Sequence, residues 1–193
     1  AAASLKQDDK ELKITLGTDP DIIDPQKSSF VNEIAHLKLI YEGLTKLNDK
    51  LQTVPGAAEK WSYSADGQTL TFNLRKGLKY SDGSPLNAKR YEYSILRNIN
   101  PATAGEYGTI TNEILGAPEW QGALARGKEA PTIGKAEAVV RGSVMALDSK
   151  GAPCTDYEQA DCTTLQVKLS KAAPYFHTIL GIWVAYPAKE ENI

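Results

Sequence analysis

Cys154 and Cys162 are the only cysteines of the 193-residue chain, and they sit in a polar run rich in Pro, Asp and Thr between two strand-like stretches. That arrangement points to a disulfide. Closing so short a loop contributes roughly 2.5 kcal/mol, and the bond persists only in an oxidising compartment. Two free thiols in a reducing compartment are the other reading of the same pair. A zinc site is disfavoured, because there is no second cysteine pair and His36 and His177 are distant in sequence. Asp19, Asp21 and Asp24 imitate the start of a calcium loop, but the later glycine and closing glutamate are missing. They read as turn formers beside Pro20 and Pro25. Glu33, Glu42 and Asp82 could supply the two carboxylates of a secreted glycoside hydrolase. No nucleophile elbow, paired-histidine metal motif or phosphate loop accompanies them. Carboxylates in a chain that is 24% charged are mostly solvated surface, so neither an enzyme nor a metal or cofactor is expected. His36, on the flank of a helical stripe, reads as structural.

The elements that must position these residues are clearest between Ala58 and Ile99. Trp61 and Tyr63 lie on one arm of a predicted hairpin turned at Asp66 and Gly67. In the other arm, Thr69 to Leu74, the apolar members Leu70, Phe72 and Leu74 fall on one face at the period of two. Ser81 to Pro85 is a second turn, and Asn87 caps a helix that buries Tyr91, Ile95 and Ile99 and stops before Pro101. Lys89 and Arg90 in its first turn oppose the helix dipole, at a cost of a few tenths of a kcal/mol each.

Around this centre, Ala1 to Glu11 is small or charged and predicts a loose arm, followed by a short strand at Leu12, Ile14 and Leu16. From Asn32 the spacing of Ile34, Leu37, Ile40 or Tyr41, and Leu44 predicts a helix packed on an apolar neighbour and ended by Gly43. Short helices are expected around Glu119 to Arg126. Glu137 to Leu147, with Val139, Val140, Val144, Met145 and Leu147, reads as a strand paired with Leu165, Val167 and Leu169. Tyr175 to Val184 is the most apolar stretch. It is expected to be exposed, to dimerise, or to be covered by further chain.

Formal charge is −2, from 24 acidic and 22 basic residues, without a long basic run, which gives no footprint for nucleic acid or an anionic membrane. No apolar run approaches the length of a membrane span. Ala1 to Lys10 has neither a basic n-region nor an apolar h-region, so any secretion signal is expected to have been removed.

The ordered set Ala58-Glu59-Lys60-Trp61, Asp66-Gly67, Phe72-Asn73-Leu74-Arg75-Lys76-Gly77 and Ser81-Asp82-Gly83-Ser84-Pro85 resembles the signature of family 5 extracellular solute-binding proteins, the peptide-binding components of ABC importers. The resemblance extends upstream to Ile23-Asp24-Pro25 and Tyr41-Glu42-Gly43-Leu44, and downstream to Thr164 to Leu169 and Pro174-Tyr175-Phe176. Two departures are Tyr80 in place of the usual tryptophan and the Asn87-Ala88-Lys89-Arg90 helix start. The resemblance implies an α/β (α+β) fold of the type II periplasmic-binding-protein kind. Residues 1–44 would start lobe I, 45–163 form an inserted antiparallel-sheet subdomain, and 164–193 return to lobe I, with the rest of lobe I and all of lobe II absent. It also implies an extracytoplasmic receptor that hands short peptides to membrane permease subunits, with room for a lipid anchor before Ala1. The same architecture takes oligosaccharides or other solutes. By the resemblance Ser29, Phe30 and Val31 lie along a bound peptide and pair with its backbone, which gives affinity without side-chain selection. Tyr107, closing the Asn100-Pro101-Ala102-Thr103-Ala104 segment, touches the ligand. Ser149 to Thr163 looks like an insertion stapled by Cys154 and Cys162, with no ligand role.

Overall fold

The computed structural model describes residues 14–15, 17–125 and 130–193. In chain order they form helix α1 (Val31–Ile40), strands β1 (Thr45–Leu47), β2 (Thr53–Pro55), β3 (Ala58–Tyr63) and β4 (Thr69–Leu74), and helices α2 (Ala88–Ile99), α3 (Ala117–Ala125) and α4 (Ala130–Arg141). Strands β5 (Val144–Leu147) and β6 (Thr164–Lys168) and the single-turn helix α5 (Phe176–Ile179) complete the chain, with 3-10 turns at Pro101–Thr103, Gly108–Thr111, Trp183–Ala185 and Glu190–Asn192. The expected arm at Ala1 to Glu11 lies outside the described residues, as does most of the expected strand at Leu12, Ile14 and Leu16.

β1 and β2 pair as a small ribbon, while the main sheet has the order β3-β4-β6-β5 and is antiparallel throughout. The period of two in β4 decides its register. Phe72 stands opposite Trp61 on one side and Leu165 on the other, so Leu70, Phe72, Leu74, Leu165 and Val167 share a buried face. α2 lies on that face. Its stripe Tyr91, Ile95 and Ile99 is fully buried, Asn87 Oδ1 accepts the Lys89 N–H as its cap, and the helix ends at Ile99 before Pro101.

Three expectations need correction. Val139 and Val140 belong to α4, not to a strand, because Ile133, Ala136 and Val140 recur at helical spacing against the core and β5 starts only at Val144. α1 ends at Ile40 and buries only Glu33 and Leu37, leaving Leu39 and Ile40 exposed. Gly43 does not end it. A Cβ on Gly43 would meet the Gly181 carbonyl oxygen at 2.5 Å, so this glycine permits two backbones to touch. The apolar stretch from Tyr175 to Val184 is also covered in large part by the chain itself: Phe176, Leu180 and Val184 are buried, while Tyr175 is exposed.

The first-turn cations of α2 are both paired, Lys89 within the helix and Arg90 with a partner distant in sequence. Lys89 Nζ pairs with Glu92 at 2.7 Å. Arg90 is fully buried, donates to both carboxylate oxygens of Glu191 at 2.6 and 2.9 Å, and lies 3.8 Å from the Tyr157 ring centroid. Tyr157 comes from the loop closed by the Cys154–Cys162 disulfide, whose Cα atoms are 5.8 Å apart. Carbonyls of the same loop receive the Asn87 amide, through Tyr157 O and Gln159 O, and the Ala88 N–H, through Cys162 O. The disulfide therefore holds the start of α2 as well as its own loop. Replacing both cysteines with serine is expected to lower the unfolding free energy by about 2.5 kcal/mol. A urea midpoint that does not move would contradict this.

Candidate functional site

The connection entering α1 is a run of turns rather than a strand. Asp24 Oδ1 accepts the Gln26 N–H, the Asp24 carbonyl accepts from Lys27 and Ser28, and Ser28 Oγ donates to Ile22 O at 2.8 Å. Gln26, only 3% exposed, is its hub. Its amide nitrogen donates to Val184 O and Tyr186 O at 3.2 and 3.1 Å, and its amide oxygen accepts from Arg97 at 2.8 Å. Arg97 also donates to both carboxylate oxygens of Asp24, at 2.6 Å each. Burial works to raise the Asp24 pKa, but the Arg97 hydrogen bonds and charge hold it below the ordinary value. Arg97 of α2 thus clamps this connection, and Gln26 ties it to the segment around Val184.

Glu33, 2% exposed, shapes the next three residues. Its carboxylate accepts the N–H groups of Ile22, Ser29 and Phe30 at 3.1, 2.9 and 3.2 Å. Burial opposes its ionisation, yet the Phe30, Ser29 and Ile22 N–H groups keep its pKa below the ordinary 4.5. A carboxylate whose folded pKa is depressed stabilises the fold above its unfolded pKa, and that contribution disappears as pH falls through the folded value. Urea unfolding of the native protein should therefore lose stability progressively below about pH 4.5. Glu33→Gln should be less stable at pH 7 and show a shallower acid decline. A decline of unchanged steepness in the variant would contradict the assignment.

Phe30 is extended at φ −90° and ψ 149°, and α1 begins at Val31. Phe30 and Val31 are 62% and 84% exposed. Among the described residues, the Ser29 carbonyl and the Val31 N–H have no hydrogen-bond partner in the chain.

Tyr107 comes from the loop that follows α2 and is 38% exposed. Gly105 brings that loop onto the connection, since its Cβ would lie 2.0 Å from Gln26 O. Trp183 joins the two. Its indole N–H donates to Ser28 O at 3.2 Å and its ring meets Tyr107 edge to face, with centroids 5.2 Å apart. Ser29, Phe30, Val31 and Tyr107, predicted from sequence, therefore share one neighbourhood. Gln26, Glu33, Arg97 and Trp183, which assemble it, were not anticipated in those roles. Only the Ser28-Ser29-Phe30 and Glu33 spacing, a first-turn carboxylate reaching back, carried a local signal.

The other chemistry-bearing residues are engaged elsewhere. Glu42 pairs with Arg75 and Lys46, and Asp82 pairs with Lys189. His36 Nδ1 lies 2.9 Å from Asn32 O. His177 stacks on Trp61 at 5.0 Å and contacts the Tyr63 hydroxyl at 3.0 Å, and burial lowers its pKa. Among the described residues no three His, Cys, Asp or Glu side chains are grouped to hold a metal, and no helix is long and apolar enough to cross a membrane.

Residues 52–193 match the family model for bacterial extracellular solute-binding proteins, family 5 middle. The chain is 29% identical over 184 residues to the periplasmic murein peptide-binding protein MppA of Escherichia coli, covering 95% of this chain and 30% of that protein. It is 32% identical over 177 residues to the probable deoxycholate-binding periplasmic protein YgiS of the same organism, covering 91% of this chain and 29% of that one. The solved unliganded open form of MppA superposes with a TM-score of 0.69 at 27% identity, over 90% of this chain and 29% of the other. The chain thus spans about 30% of the length of these relatives.

Proposed function

The chain belongs to the family 5 bacterial extracellular solute-binding proteins, with the type II periplasmic-binding-protein-like fold, and from that premise we propose that it is one face of a receptor for short peptides. The receptor captures its ligand outside the cytoplasm and delivers it to the permease subunits of an ABC importer, with no reaction of its own. The observation that carries this reading is the pair of backbone groups flanking Phe30 that have no partner among the described residues. In an extended residue the preceding C=O and the following N–H point to the same side, and a parallel strand uses that pair to grip one residue of its neighbour. A peptide residue could donate its N–H to Ser29 O and accept the Val31 N–H at its own carbonyl. Every amino acid except proline offers both groups, so such pairing accepts peptides of many sequences.

The division of the chain belongs to the same reading. Residues 1–44 start lobe I, an antiparallel-sheet subdomain is inserted from 45, and the segment after it returns. β6 pairs between β4 and β5, which supports counting Thr164–Lys168 with the subdomain's sheet. A lipid anchor before Ala1 would keep such a receptor at the membrane.

A non-peptide solute is the second reading, favoured by the 32% identity to a probable deoxycholate-binding protein. Native mass spectrometry of the freshly purified protein separates the two. Small adducts that vanish on denaturation and sequence as peptides support the first reading. A single non-peptide adduct replaces it with the second.

A further inference from the structure

Backbone pairing explains how a peptide could be held but not how one is preferred, and the residue placed to decide that is Trp183. It lies half-buried in the turn Trp183–Ala185, 155 residues from the carbonyl it binds at Ser28. Its N–H fixes the peptide unit directly before Ser29, the residue whose carbonyl is offered to the ligand. Its ring meets Tyr107 at an interplanar angle of 79°. Rings so set touch edge against face, and the notch they leave is the corner beside that contact, walled by the two rings.

We infer that Trp183 is a specificity-determining residue, and that the Trp183–Tyr107 notch takes an apolar or aromatic side chain of the bound peptide. The inference rests on the peptide reading above. Two observations support the class of side chain. Tyr107 leaves 38% of its surface uncovered, and Phe30 and Val31, two and three residues beyond Ser28, leave 62% and 84%. These surfaces are mainly hydrocarbon, and contact with a ligand would remove them from water. Among the described residues, the arginine and lysine cations stacked on aromatic rings lie at Tyr80, Tyr157 and Trp120, and none is at Tyr107 or Trp183. Neither ring carries a cation from the described residues. The clamp also holds the notch in place before any ligand arrives: Gln26 ties its own connection to Val184 O, immediately after Trp183, and Gly105 seats the Tyr107 loop on the same backbone.

The two parts of the indole have separable roles. The ring contributes selectivity, and the N–H contributes alignment of the Ser28–Ser29 backbone, which every peptide would feel equally.

The test is calorimetric titration of the intact receptor with tripeptides Ala-X-Ala, where X is Phe, Leu, Ala, Lys or Glu. The native protein should prefer Phe and Leu over Lys and Glu by about tenfold or more. Trp183→Ala should reduce that ratio to about twofold or less, whereas Trp183→Phe should keep the preference while weakening all five peptides by a similar factor. Circular dichroism establishes that each variant is folded, and Tyr107→Ala, which leaves the Ser28 hydrogen bond intact, should also narrow the ratio. Selectivity unchanged in both Trp183→Ala and Tyr107→Ala, or absent in the native protein, would overturn the inference. Failure of the native protein to bind any of the five would instead refute the peptide reading beneath it.

Discussion

Arg97→Ala is expected to lower the unfolding free energy by about 3 to 5 kcal/mol, the figure for removing one partner of a buried ion pair. Arg97 is 9% exposed, and its guanidinium serves Asp24 through two hydrogen bonds and Gln26 through a third. Alanine would leave Asp24, whose side chain is 21% exposed, without its cation, and Gln26, 3% exposed, without its donor. Partial hydration of Asp24 places the expected loss toward the lower end of that range. Arg97→Lys keeps the charge but cannot span both carboxylate oxygens and the amide, so it should lose roughly half as much. Urea unfolding at pH 7 gives both numbers. A loss below about 1 kcal/mol for the alanine variant would mean that the pair behaves as a surface ion pair and does not organise the site.

Gly105→Ala should have the largest effect on binding. The new methyl would lie 2.0 Å from Gln26 O, a backbone atom held by the Asp24, Gln26 and Arg97 network, so the loop must move instead. Tyr107 is two residues on and would leave its contact with Trp183. Ligand affinity is expected to fall about tenfold or more, with a stability loss of roughly 1 to 3 kcal/mol from overpacking. Gly134→Ala is the control: it lies inside α4 with nothing within 4 Å of the added Cβ, and should raise stability by about 0.5 to 1 kcal/mol without touching affinity. Equal affinities in native protein and Gly105→Ala would show that the loop position is irrelevant to binding.

What could be read from sequence divides by the range of the interactions involved. β4 was legible because its alternation is local and one face is wholly buried. α2 was legible because Asn87 caps it and Tyr91, Ile95 and Ile99 recur on its buried side. α4 was missed because Val139 and Val140 at a helix end and Val144 and Met145 at a strand start are separated only by Arg141, Gly142 and Ser143, so the two valine-rich stretches read as one strand. α1 was read with too large a buried face, since Ile34 is only half-buried and Ile40 is exposed. Arg90 looked like a penalty because its partner Glu191 is 101 residues away. Gln26 and Trp183 gave no signal for the same reason: their partners lie 158, 160 and 155 residues distant. The disulfide, whose two ends are 8 residues apart, could be recognised from the polar loop alone.

The most direct test of the account is amide hydrogen exchange at three consecutive residues, with and without saturating peptide. The Ser29 and Phe30 N–H groups are already bound to Glu33 and should exchange at nearly the same rates in both states. The Val31 N–H, without a partner among the described residues, should slow markedly when peptide is present, because the ligand carbonyl accepts it. Bound peptide that leaves the Val31 rate unchanged would contradict pairing at Phe30, and with it the central claim that this edge holds the ligand through its backbone.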